Sequence, residues 1–140
     1  MDTFDILLVE DNEADILITQ EILNQGEGLN TLNSLSTAEE AILYLNKRAP
    51  FQNVKKPDLI LLDLNLPKSN GFAVLVEVKS TPELMDIPVI ILTSSSCDYE
   101  KEFAMKNHAD LYMEKPLDLN RMKRFLKEME YNKVNKINNI

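Results

Sequence analysis

The chain has 140 residues, 44% of them hydrophobic and 27% charged, which is the size and balance of one globular domain rather than a disordered segment. A formal net charge of −8 argues against nucleic acid as a direct partner, because phosphate backbones call for a basic surface, and no run is apolar enough to span a membrane. A single cysteine, Cys97, and a single histidine, His108, allow neither an internal disulfide nor a structural zinc site; with an acidic N-terminus unlike a signal peptide, they point to a reducing, cytoplasmic setting.

Phe4–Val9 is a continuous apolar run of strand length, followed at once by the acidic cluster Glu10-Asp11-Asn12-Glu13. Ala14–Gln25 has helical spacing, with Ala14, Leu17, Ile18, Glu21 and Ile22 near one stripe and Gly26 and Gly28 closing it. Asn30–Leu35 reads as a weaker strand. Thr37-Ala38-Glu39-Glu40 is a capping box that opens a helix with Ala38, Ala41, Ile42 and Leu45 facing inward. A polar loop over Ala49–Pro57 leads to a second apolar run, Asp58–Leu62, which ends at Asp63. A turn over Pro67–Gly71 precedes a helix over Phe72–Lys79, with Phe72, Leu75, Val76 and Lys79 at helical spacing. Pro88–Leu92 is the fourth strand and runs into the hydroxyl series Thr93-Ser94-Ser95-Ser96. A helix is expected over Asp98–Asn107 and a fifth strand over Ala109–Glu114, ending at Lys115-Pro116. Asp118 caps a last helix whose apolar face is Leu119, Met122, Phe125, Leu126 and Met129. Asn132–Ile140 reads as a fraying tail after a domain spanning residues 1–131.

Strands that are apolar on both faces belong to a parallel sheet covered by helices on each side. Five strand–helix units of this length fit an α/β, doubly wound, flavodoxin-like sheet in the order 2-1-3-4-5. Such sheets bind ligands beyond the carboxyl ends of their strands, at the switch point between strands 1 and 3. Those ends carry Glu10 and Asp11, then Asp63, Thr93 and Lys115. Two carboxylates about 4 Å apart repel by roughly 4 kcal/mol at an effective dielectric near 20. Three of them need more than one lysine for compensation, and a hard divalent cation with oxygen ligands, Mg²⁺, is the natural remedy. A carboxylate so placed can also act as a nucleophile toward phosphorus, with Lys115 and Thr93 positioned for the incoming oxygens.

In ILLVEDN (6–12), DLILLDLNLPKSNG (58–71), PVIILTSSS (88–96) and LYMEKP (111–116), the chain resembles the receiver domain of two-component response regulators over roughly residues 4–130. The resemblance implies phosphorylation on Asp63. It implies Mg²⁺ held by Asp11, Asp63 and the main-chain carbonyl of Asn65, with Glu10 reaching the metal through water. It assigns Thr93 and Lys115 to the phosphate and Tyr112 to the rotating aromatic of the switch. It further implies a cis peptide before Pro116 and a tuning of dephosphorylation by Asn65 and Ser95. The partners implied are a sensor histidine kinase or histidine phosphotransfer protein and a downstream protein target, with a homodimer through the side formed by the fourth and fifth helices as a further expectation. DLNLPK, the TSS run and EKPLDL place it nearest the small regulators without output domains that pair with phytochrome-type histidine kinases, so it is expected to act through protein contacts rather than through an output domain of its own. Two departures stand out: Ser69-Asn70-Gly71 replaces the frequent Asp-Gly, and Asn107-His108-Ala109 lacks the usual glycine, so Asn107 or His108 must take any left-handed turn.

Each residue also has a plainer reading. Glu10 and Asp11 suit a helix N-terminus, Asp63 a strand end, Thr93 a turn, and Lys115-Pro116 simple punctuation. Tyr112 suits a half-buried strand, Met122–Met129 core packing, and Arg121, Lys123, Arg124 and Lys127 a solvated helix face. Cys97 reads as passive and His108 as a solvated helix end. The joint placement at four strand ends favours the switch over an enzyme; a phosphohydrolase of the haloacid dehalogenase type would carry its DxD on the first strand, whereas Asp63-Leu64-Asn65 follows the third. A receiver-like module that is never phosphorylated is the other alternative.

Overall fold

The computed structural model describes residues 4–26, 30–95 and 97–138, with side chains described through Lys133. Gly28 and Ser96 lie outside the described residues. Five strands, β1 (Phe4–Val9), β2 (Asn30–Leu35), β3 (Leu59–Leu62), β4 (Val89–Thr93) and β5 (Leu111–Glu114), alternate with five helices, α1 (Glu13–Asn24), α2 (Ala38–Leu45), α3 (Gly71–Ser80), α4 (Asp98–Lys106) and α5 (Leu119–Asn138). The strands form one parallel sheet in the order β2-β1-β3-β4-β5, the doubly wound arrangement expected from the sequence. No helix of the described residues is long and apolar enough to cross a membrane.

The period of two along a strand divides the core into two layers. Leu7, Val9, Ile60, Leu62, Val89 and Ile91 pack on the face that receives α2, α3 and α4. Ile6, Leu8, Leu59, Leu61, Ile90 and Leu92 pack on the opposite face with Leu23 of α1 and Met122 of α5. The weak pattern of β2 follows from its position: as an edge strand it buries no residue completely. At α2, the Thr37 hydroxyl accepts the Glu40 N–H at 3.1 Å, and the Ala38 N–H donates to Ser69 Oγ at 2.9 Å. That second bond ties the helix start to the loop after β3.

Three helix faces differ from the sequence expectation. In α1 the inward residues are Thr19 and Leu23, with Ile16 and Ile22 beside them, while Leu17 and Ile18 are 66% and 46% exposed. In α3, Val74, Leu75 and Val78 are buried and Val76 is exposed. Lys79 does turn inward, but as an ion: it pairs with Asp110 at 2.8 Å and donates to the carbonyl of Ile87. In α2, Tyr44 is buried and stacks obliquely on Phe51, while Ile42 is only half-buried. These helices carry apolar residues on more than one side, so periodicity alone leaves their rotation about the axis open. The last helix continues through Asn138, into the stretch expected as a tail.

His108 carries the left-handed turn, with φ 71°. Its N–H bonds to the Met105 carbonyl and the Ala109 N–H to the Ala104 carbonyl, which closes the end of α4 in a Schellman motif without glycine. Lys47 also adopts positive φ, at 52°, and the Ala49–Pro50 and Lys115–Pro116 peptides are cis.

Candidate functional site

Register decides which strand ends meet. Val9 pairs with Leu62 and Thr93 with Glu114, so the residues that follow, Glu10, Asp63 and Lys115, emerge at one edge of the sheet. Glu10, Asp63 and Thr93 belong to the small set of buried polar side chains, whereas Asp11 is exposed. Carboxylate oxygens of Glu10, Asp11 and Asp63 all lie within 4.8 Å of one another. A hard donor set with one exposed member suits a divalent cation that keeps part of its water shell.

Lys115 reaches into this cluster. Its Nζ donates to Asp63 Oδ2 at 2.9 Å and to Asp15 Oδ2 at 2.8 Å, and it is ion-paired with Glu10. Burial alone would lower the lysine pKa, but its hydrogen bonds to Asp15, Glu10 and Asp63 outweigh it and raise the pKa. Glu10 is pushed above the usual carboxylate range, chiefly by burial, with the charge of Asp63 adding to the effect; its bonds from Lys115 and the Asn12 N–H oppose the shift.

Around Asp63 the loop is pinned by hydrogen bonds to side-chain oxygens. The Asn65 N–H donates to Asp63 Oδ1 at 2.8 Å, and the Asn65 side-chain amide donates to the Thr93 hydroxyl at 3.1 Å. Thr93 also accepts the Ser95 N–H at 3.1 Å. Gly71 makes this packing possible, since a Cβ there would fall 2.6 Å from the Asp63 carbonyl oxygen and 2.7 Å from Leu64 Cα. Tyr112 is buried, and its hydroxyl donates to Glu100 Oε1 at 3.1 Å and to the Ser95 carbonyl at 3.4 Å. Burial, then the Glu100 carboxylate, raises its pKa.

The structure thus brings Glu10, Asp11, Asp63, Asn65, Thr93 and Lys115 together, and Ser95 joins Thr93 to Tyr112. Pro116 follows the lysine across its cis bond. Cys97 and His108 are exposed outside this cluster, and Arg121, Lys123, Arg124 and Lys127 lie on the exposed side of α5. Two participants escaped the sequence reading. Asp15 sits in the first turn of α1, directly after the acidic loop, and that position was its only signal. Glu100 gave none, because the rotation of α4 that aims it at Tyr112 is set by packing.

A model of the response regulator receiver domain matches residues 6–127. Response regulator Rcp1 of a Synechocystis strain is 39% identical over 114 residues, which cover 81% of this chain and 78% of that protein. The crystal structure of the phosphorylated cyanobacterial phytochrome response regulator RcpA superposes with a TM-score of 0.78 at 37% identity, covering 92% of both chains. The Mn²⁺-bound form of Rcp1 does so with a TM-score of 0.76 at 36% identity, over 90% of this chain and 91% of that one.

Proposed function

The chain belongs to the response regulator receiver family, and from that premise we propose that Asp63 is its phosphoacceptor and that the Asp63 site drives a change in protein contacts. The observation that carries the reading is the gathering of the Glu10, Asp11 and Asp63 carboxylates, from two separate strand ends, against Lys115.

The donor is a phosphohistidine on a sensor kinase or phosphotransfer protein. A carboxylate oxygen of Asp63 attacks phosphorus as the P–N bond breaks, and the imidazole departs with the electron pair. The hard-oxygen cluster fits Mg²⁺, which Glu10, Asp11, Asp63 and the Asn65 carbonyl would hold; when bound, it supplies neutralisation of the phosphoryl charge. Lys115, already against Asp63, turns an N–H to a phosphoryl oxygen. The Thr93 hydroxyl, which accepts from Asn65 and Ser95, donates to another. Its movement is felt at Tyr112 through Ser95, and from there at α4, β5 and α5. Asn65 and Ser95, beside the acceptor and the hydroxyl, tune loss of the phosphoryl group.

Similarity to the phytochrome regulators makes a phytochrome-type kinase the leading donor, acting in a cytoplasmic setting on a receiver domain spanning 1–131, with a downstream protein or a second copy as the reader of the altered face. The test is labelling by acetyl phosphate with Mg²⁺ present. The wild-type chain incorporates one acid-stable, base-labile phosphoryl group, and Asp63→Asn incorporates none; undiminished labelling of that variant would refute the assignment.

A further inference from the structure

Lys115 is held at its tip by carboxylates from three different elements: Glu10 after β1, Asp15 in the first turn of α1, and Asp63 after β3. An ammonium group has three N–H donors and sits on a stem with four rotatable bonds. Three acceptors therefore engage every donor and suppress the freedom of the stem. Asp15 stands apart from the carboxylates that suit a metal, which are Glu10, Asp11 and Asp63. Its side chain is one-third exposed, and the apolar contacts of α1 with the core are made by Ile16, Ile22 and Leu23 instead. Beside it, Asp15, Ile18, Thr19, Lys115 and Pro116 line a depression of about 300 Å³, which gives the lysine tip room to move away from Asp63.

We propose that Asp15 is a positioning residue of the switch: together with Glu10 it fixes two of the three Lys115 donors, so that the third is aimed at Asp63 and at the group carried there. This inference rests on reading Asp63 as the phosphoacceptor. Phosphorylation leaves the two anchors in place and replaces the Asp63 oxygen by a phosphoryl oxygen within reach of the same N–H.

The test is a double-mutant cycle on the full chain with Asp15→Ala and Lys115→Ala. Alanine favours the helix, so α1 keeps its first turn. Mg²⁺ alone is titrated first, then beryllofluoride, as a phosphoryl mimic, at saturating Mg²⁺, with the backbone amide NMR signals of Asn65 and Thr93, residues unchanged in every variant, as readout. Asp15→Ala keeps its Mg²⁺ affinity within about threefold, the scale of a partly exposed charge. It binds beryllofluoride about tenfold more weakly, the scale of one misdirected charge-assisted hydrogen bond. In the Lys115→Ala background, adding Asp15→Ala produces no further loss, because the lysine it would aim is gone. An unchanged or tighter beryllofluoride affinity, an equal weakening of metal and mimic, or the same loss in both backgrounds overturns the proposal. If the wild-type chain with Mg²⁺ fails to bind beryllofluoride at all, the Asp63 reading itself fails and the role of Asp15 falls with it.

Discussion

Four carboxylates, those of Glu10, Asp11, Asp15 and Asp63, share the neighbourhood of Lys115, whose single positive charge offsets only part of their mutual repulsion. Burial, with the Asp63 charge adding to it, raises the Glu10 pKa, so its contribution to stability is fullest below the ordinary value of 4.5 and is lost as pH rises through the folded-state value. Without metal, Glu10→Gln therefore melts above wild type at neutral pH, and the difference disappears as pH falls below about 4.5; thermal melts across that window check it, and a gain that persists or grows in acid contradicts it. Asp11→Asn, whose exposed carboxylate completes the cluster, melts at or above wild type in the absence of metal yet loses most of the rise in melting temperature that Mg²⁺ gives the wild-type chain.

Between elements, the contacts that matter are few and local. The start of α3 lies against the loop after β3 because residue 71 has no side chain. Gly71→Ala must push main chain rather than a flexible tip, so we expect a loss of about 1–3 kcal/mol in urea unfolding together with weaker Mg²⁺ binding, as the Asp63 loop moves. A variant with normal stability and normal metal affinity would show that this contact is unimportant. Tyr112 is the only hydrogen-bond bridge recorded from β5 to the Glu100 side chain of α4 among the described residues. Tyr112→Phe removes the donor from two acceptors, and amide hydrogen exchange over residues 101–106 is expected to speed up by roughly fivefold, the scale of about 1 kcal/mol. Exchange that quickens equally throughout the sheet would instead indicate a global loss of stability.

Over the whole molecule, the sequence was most legible where physics leaves little choice. Continuous apolar runs such as Asp58–Leu62 have one stable home, a parallel sheet buried on both faces, and β3 is buried at every position. Once the strands and their order were in place, their final residues named the site, because all parallel strands end at the same edge. What stayed hidden depends on rotation and packing. α1 offers apolar residues on two sides, and only the docked helix shows Leu17 and Ile18 facing out and Thr19 facing in. Asp15 was hidden for the same reason, since the turn of α1 that points it at Lys115 cannot be read from spacing in a helix of mixed polarity. Lys79 read as part of an inward stripe for its position, and its partner Asp110, 31 residues away, explains why a charge is tolerated there.

The central claim, that carboxylates distant in sequence converge on one cation at the carboxyl edge of the sheet, is tested most directly with Mn²⁺ as a paramagnetic probe. At substoichiometric Mn²⁺, the amide NMR signals of residues 10–12, 63–65, 93–95 and 115 are expected to broaden together and to recover on adding excess Mg²⁺, while those of Phe4, Leu59 and Val89 at the opposite edge broaden far less. Broadening confined to one of these segments, or centred elsewhere on the surface, would contradict the account.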